Sequence, residues 1–486
     1  MIGATIAVYF VIVVALGWAA SRKAGMGTED FFLAGRSFGP IVLFVALFGS
    51  NVTAFGILGF PGMACREGVG VFGFFGAAAA FFTPLCFILI GYPIWLLGKR
   101  HGYTTQAEMF TDRWQSRPIG LLVLGLLVLY TFPYLAVGLI GGGRALERIA
   151  DIPYVGAALL LTGGAVLYTS IGGMRGTAWT NVFQASLFLV VLIVTLFALA
   201  DALGGVTTLH QRIVEEKPEL LQRKSTGLLS PGSWAAGFLV GPMSVIAFPH
   251  IFMRLLAARD LRAMRTSIRW YPWAFLLLFV PGTFIGLWGA VELGATGKEA
   301  DYVLPTLAAN LFPTWLTAIV LAAILAAVMS SLDAQLLSIA TMLVIDLGGS
   351  DRQRNMALAG RVGVVVIALA ALGFALWQPD TIFGIAKFSF SGFTLMVPIF
   401  LAAFFWKRST ATGVLAGCIA GNLLLVLYHA KLLGLGLDMS GFTFGTLPVV
   451  WCLLVEIVVM VAVSLATAPP PQTVLAKFDD PFGRPA

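Results

Sequence analysis

GSNVTAFGILGFPG, residues 49–62, lies inside an apolar stretch (39–63) that is long enough to cross a bilayer. A helix there is weakened at Gly49, Gly56, Gly59 and Pro61-Gly62, since glycine loosens the backbone and proline has no N–H to donate. In hydrocarbon a freed carbonyl or amide meets no water. Such a break is tolerated only where it lines a cavity or binds something. The stretch therefore reads as a broken membrane helix with a ligand beside it.

Composition supplies the membrane. Of 486 residues, 59 % are apolar and 11 % charged, and the mean hydropathy is +0.93. A soluble domain carries about 25 % charged residues, so these charges cannot cover a soluble core of this size. They suffice for loops between helices of about 20 apolar residues. Thirteen such spans run near 3–20, 39–63, 70–98, 118–147, 153–171, 178–203, 233–256, 270–294, 314–346, 357–378, 381–406, 411–432 and 445–467. The fold class is an all-α polytopic membrane protein. The longest polar stretches are 204–232 and the tail 468–486, too short for a catalytic domain. The tail opens with Pro469-Pro470-Pro471 and reads as a disordered end. Four cysteines (Cys65, Cys86, Cys418, Cys452) and four histidines (His101, His210, His250, His429) lack metal-ligand spacing. Neither an enzyme nor an organic cofactor is expected.

The net charge of +7 does not point to nucleic acid, because the cations sit at the ends of apolar runs. Met1–Ala20 carries no N-terminal cation and is followed by Arg22 and Lys23, a pattern unlike a cleaved signal peptide that places the N-terminus outside. Thirteen crossings then leave the C-terminus in the cytoplasm of an inner-membrane protein. On this topology 20 of the 30 Lys and Arg face the cytoplasm. They include Arg352, Arg354, Arg484 and the cluster Arg254, Arg259, Arg262, Arg265 and Arg269, read here only as a topology signal.

Span 7 repeats the feature of span 2, with Gly237, Gly241-Pro242 and Pro249 inside its apolar run. Spans 2 and 7 each open a set of five. Paired broken helices at corresponding places in two halves point to a transporter built of inverted repeats. The chain divides into span 1 and its loop (1–38), repeat one (39–203), an external loop (204–232), repeat two (233–406), peripheral spans 12 and 13 (407–467) and the tail (468–486).

Several further motifs follow in order. They are Asp30-Phe31-Phe32-Leu33-Ala34-Gly35-Arg36, Thr105 to Glu108, Gly172-Gly173-Met174-Arg175, Trp179 to Gln184, Pro249-His250, and Ala326-Ala327-Val328-Met329-Ser330-Ser331-Leu332-Asp333. Together with 49–62 they resemble the solute:sodium symporter family, which includes sodium/proline, galactose, pantothenate and sialic acid symporters. The resemblance covers nearly the whole chain. It implies a leucine-transporter-like core of two inverted five-helix repeats, spans 2–6 and 7–11.

Sodium is a hard ion that takes about five or six oxygens. Ser330 and Ser331 offer hydroxyls in an otherwise apolar helix, and the break in span 2 offers carbonyls. The resemblance implies their pairing: carbonyls of Gly49, Val52 and Ala327 with the hydroxyls of Ser330 and Ser331. The plain alternative is that each serine bonds back to its own helix. The chain departs from the sodium/proline symporter, which has aspartate at the positions of Asn51 and Asn181. It carries Asp333 instead, one helical turn after Ser330. Asn181 and Asp333 form a possible second ion or proton site; alternatively Asp333 is solvated near the cytoplasmic end or makes a helix–helix contact. An ionisable residue inside a span is a functional candidate by default.

For the solute, the resemblance points to Asn51 and Thr53 (span 2), Tyr134 (span 4), Gly241 and Ser244 (span 7) and Ser389 and Ser391 (span 11). Asn51, Gly241 and Ala334 depart from the proline transporter, which disfavours proline. Lys387 is either an interfacial anchor or a sign of an anionic solute. The resemblance thus implies a monomeric transport unit in lipid that couples sodium entry to uptake of a small organic solute by alternating access. Proton coupling through Asp333 and a transporter-like sensor are the alternatives.

Overall fold

The structure, a computed structural model, describes residues 1–22, 28–348, 356–377, 381–430, 443 and 445–483. Lys23, Arg352, Arg354 and Arg484, counted above as cytoplasmic cations, lie outside the described residues. Among the described residues, ten helices are each long and apolar enough to cross a membrane. Two bent pairs add to them: Pro40–Asn51 with Phe55–Glu67 (63°) and Pro231–Ala247 with Pro249–Leu256 (56°).

One of the ten, Tyr154–Ala202, has 49 residues. Straight, it would run about 74 Å, over twice the hydrocarbon thickness. It is broken at Gly173, whose φ of 53° and ψ of −151° suit glycine. A Cβ placed on Gly17 would lie 3.4 Å from Tyr168 and 3.9 Å from Thr180. The two flanks of Gly173 therefore fold back to the same point on span 1 (Ile2–Ser21). With 154–172 and 174–202 as spans 5 and 6, the described residues hold thirteen crossings.

The first break falls where the sequence places it. Val52 is extended (φ −81°, ψ 106°), and the Thr53 hydroxyl accepts from the Phe55 amide at 3.1 Å to start the second half-helix. The second break does not fall at Gly241-Pro242, which lie within Pro231–Ala247. It falls at Phe248 (φ −60°, ψ 127°), because a residue before proline is pushed out of the helical region, here by Pro249. Gly237 and Gly241 serve packing instead. A Cβ on them would meet Phe74 at 2.0 Å and Phe75 at 2.8 Å, both from span 3 (Phe72–His101).

Span 9 (Thr314–Gly348) is the buried axis, with 89 % of its most apolar stretch inside the protein, against 22 % for span 1. Spans 12 (Ala411–Ala430) and 13 (Pro448–Ala466) lie at the periphery and pack on a glycine ladder. A Cβ on Gly417 would meet the Glu456 carbonyl and Met460 at 2.7 Å, and one on Gly413 would meet Ser464 at 2.0 Å. Small residues four apart let such backbones approach in lipid.

The tail is ordered over 468–483, contrary to the sequence reading. Lys477 donates to both oxygens of Asp112 at 2.9 and 3.1 Å, Phe478 is buried beside His101 and Tyr103, and Phe482 stacks on Tyr92. Two phenylalanines so close together give the segment something to bury, which its prolines concealed. Burial works against the Asp112 carboxylate, but donors from Tyr103 and Lys477 outweigh it and hold its pKa below the usual value. Asp112 belongs to the short helix Gln106–Trp114, whose capping box joins Thr105 and Glu108.

Gly417→Val should wedge spans 12 and 13 apart at a cost of about 1–3 kcal/mol. Thermal unfolding of the purified protein in detergent should show the loss.

Candidate functional site

The first break faces span 9 across a small group of oxygens. The Ser330 hydroxyl lies 2.8 Å from the Gly49 carbonyl and 2.9 Å from the Ala327 carbonyl. A hydroxyl has one proton, so only one of these contacts is a donated hydrogen bond at a time. Three oxygens thus converge with one proton between them, an electron-rich group that a hard cation would complete. Glycine at 49 lets span 6 close on the break: a Cβ there would meet Ala185 at 3.1 Å and the Asn181 carbonyl at 3.2 Å. Of the five expected ligands, Gly49, Ala327 and Ser330 are brought together. Val52 sits at the extended residue of the same break. Ser331 is turned away and bonds back to the Val328 carbonyl at 2.9 Å.

Asn181 stands next to this group, donating its amide to the Ser330 carbonyl at 3.1 Å. Its Oδ1 is buried with no hydrogen-bond partner. Asp333 is fully buried, which removes the reading of a solvated carboxylate near the cytoplasmic end. The Thr180 hydroxyl lies 3.3 Å from its Oδ2 and 3.0 Å from the Thr177 carbonyl, so its one proton serves one of them at a time, and Oδ1 has no donor among the described residues. Arg254 is the main opposite charge acting on Asp333, but it acts through space: among the described residues the two make no hydrogen bond or ion pair.

Arg254 corrects the sequence reading. Within the arginine cluster it passed as a topology signal, yet it is fully buried, with no hydrogen-bond partner at any guanidinium nitrogen among the described residues. It belongs to the half-helix Pro249–Leu256, four residues after His250, which is also buried with both ring nitrogens unpartnered. The signal was present in the sequence: Arg254 interrupts the apolar run IFMRLL, whereas Arg259 and Arg265 lie among polar residues.

The expected solute ligands separate into groups. Thr53 and Tyr134 meet, hydroxyl to hydroxyl, at 3.2 Å. Asn51 donates instead to the Tyr271 hydroxyl of span 8 (Leu261–Leu293) at 3.3 Å. Ser244 and Ser389 turn to their own helices, toward the Gly241 and Ile385 carbonyls at 2.6 and 3.5 Å. Gly241 and Ser391 line a narrow cavity with Lys387, Tyr428 and His429. Between that cavity and the Thr53–Tyr134 pair stands Phe390, on span 11 (Ile382–Phe405), which the sequence reading passed over. Its ring centroid lies 5.3 Å from Phe55 and Tyr134, 5.6 Å from Phe75 and 5.9 Å from Phe248. Phe390 therefore touches both broken helices and spans 3 and 4.

Two broken helices around a polar centre, within thirteen crossings, define a secondary transporter. The chain matches the model of the Sodium:solute symporter family over residues 31–421, and it belongs to that family. It is a transporter that couples sodium to uptake of a small solute. It is 28 % identical over 479 residues to the sodium/proline symporter of Escherichia coli (strain K12), covering 92 % of this chain and 91 % of that protein. It is 29 % identical over 496 residues to the sodium/pantothenate symporter of the same organism, covering 96 % and 97 %. The fold is shared with a solved sodium-coupled sialic acid symporter (TM-score 0.80, 16 % identity, 97 % of this chain and 99 % of that one). It is shared also with Mhp1, a nucleobase-cation-symport-1 family transporter (TM-score 0.60, 14 % identity, 92 % and 98 %). The core is leucine-transporter-like, as expected.

Ser330→Ala should weaken sodium binding about 10- to 100-fold, the effect of one hydrogen bond or ligand to a charged group. The sodium concentration needed to raise the melting temperature of the purified protein should shift upward accordingly, with little change in the sodium-free value.

Proposed function

We propose that the coupling sodium binds at the carbonyls of Gly49, Val52 and Ala327 and the hydroxyls of Ser330 and Ser331, with Ser331 turning off the Val328 carbonyl to join. The observation that carries this reading is that the Gly49 and Ala327 carbonyls both lie within 2.9 Å of the Ser330 hydroxyl oxygen. An ion there ties the movable half-helix of span 2 to the buried span 9. By linkage, a sodium that favours the state open to solute raises solute affinity. The solute is proposed to sit between the two breaks, against Thr53 and Tyr134 and below Phe390, with Asn51, Gly241, Ser244, Ser389 and Ser391 on its route. Asn51, Gly241 and Ala334 argue against proline as that solute.

For Asn181 and Asp333 we favour a structural charge over a second ion. What supports this reading is that Arg254, buried in the neighbouring half-helix, is the main opposite charge acting on Asp333, so that the carboxylate has a counter-charge other than an ion. Repeats one (39–203) and two (233–406) would rock around the breaks, with the N-terminus outside and the C-terminus in the cytoplasm. That orientation is supported by the basic loops on the opposite side. The unit is proposed to work as a monomer in the cell membrane.

Proteoliposomes given an inward sodium gradient test the coupling: labelled solute should accumulate, and should not when potassium replaces sodium. Asp333→Asn alone should lower the melting temperature, since it removes the main opposite charge acting on the buried Arg254. Asp333→Asn with Arg254→Met should regain much of that loss in thermal unfolding. A single variant as stable as wild type would remove the pair.

A further inference from the structure

The outer cavity above Phe390 lies beyond the ion site and bears on the class of solute, an inference that rests on the symport reading above. Its described walls are largely apolar, formed by Phe74, Phe75, Val240, Phe383, Phe390 and Leu425. Among the described lining residues the ionisable side chains are Lys387, Tyr428 and His429. Lys387, Phe390 and Ser391 are spaced i, i+3 and i+4 on span 11, so they share one face of that helix. That face carries an ammonium, a ring and a hydroxyl in sequence from the outer side inward. His429 of span 12 feels the Lys387 charge, and its ring packs against Phe388 at 4.9 Å.

From this juxtaposition we propose that the outer cavity is an entry site for organic carboxylates with an apolar body. The carboxylate meets Lys387, with Ser391 as a second donor, and the apolar body lies on Phe75 and Phe390. An ammonium has three donors, so Lys387 can keep a contact with the protein and still take a carboxylate oxygen. A charged hydrogen bond in a largely apolar cavity discriminates strongly, because the amide of the same shape brings no charge to offset the desolvation. The aromatic floor favours a body of isobutyl or phenyl size over a polyol, whose hydroxyls would be stripped of water there without partners. Phe390 then stands between this site and the Thr53–Tyr134 pair beneath.

The test uses purified full-length protein in saturating sodium. Its probes are three acid and amide pairs: benzoate with benzamide, phenylacetate with phenylacetamide, and isovalerate with isovaleramide. Binding is read by thermal shift and by isothermal titration. At least one acid should bind about ten-fold more tightly than its amide. Lys387→Gln should weaken the acid about ten-fold and leave the amide within two-fold, while Lys387→Arg should keep most of the preference. Equal binding of acid and amide, failure of every acid to bind, or an acid affinity unchanged in Lys387→Gln would each overturn the proposal. The last result would make Lys387 an interfacial anchor. The sodium reading is scored separately by sodium-dependent stabilisation without any acid, so a failure of the carboxylate class does not pass for a failure of symport.

Discussion

The rest of the structure depends on a backbone carbonyl that a membrane helix cannot leave bare. Where span 2 gives up its helical ladder at Val52, the Gly49 carbonyl turns to Ser330 of span 9. In hydrocarbon the alternative is an unsatisfied dipole, so the break holds only because span 9 is there to receive it. Glycine at 49 is needed for the same reason: span 6 closes within 3.2 Å of where a Cβ would be. Helix break, small residue and serine are one device seen from three elements, and the proposed ion site is built on it.

A second constraint is the buried charge. Asp333 and Arg254 come from span 9 and the second half-helix of span 7, and both are fully inside. Each would be costly alone. The half-helix Pro249–Leu256 packs on the same span 9 that meets the first break, which puts the two opposite charges inside one region of the protein without a direct contact. Span 9 thus meets both broken spans, the first through the Ser330 hydroxyl and the second through packing of Pro249–Leu256. Ser330 and Asp333 open a polar stretch of span 9 that continues through Gln335, Ser338 and Thr341, whereas the run 318–329 before it is apolar.

Much of this was legible in the sequence because membrane spans are long apolar runs and breaks are spelled by glycine and proline. Span 2, the fold and the Gly49–Ser330 meeting could be stated from residues and resemblance. The second break was legible only as a region, Gly237 to Pro249; proline's effect on its predecessor narrows it to Phe248, while Gly241-Pro242 stay inside the helix. Arg254 was hidden by its neighbours: a run of arginines reads as a basic loop, and burial of the first follows from a half-helix that the sequence does not delimit. Phe390 was lost among 38 phenylalanines, where no spacing singles out the one that touches both breaks. The tail was misjudged by its prolines, whereas Lys477, Phe478 and Phe482 decide its place.

The central claim is that one sodium binds, at the first break, with Asp333 serving as counter-charge to Arg254. The most direct measurement is the number of radioactive sodium ions bound per chain at saturation. It is made on wild type and on the Asp333→Asn, Arg254→Met double variant. The account predicts one ion per chain in both. Two ions in wild type, falling to one in the double variant, would contradict it and make Asp333 a ligand.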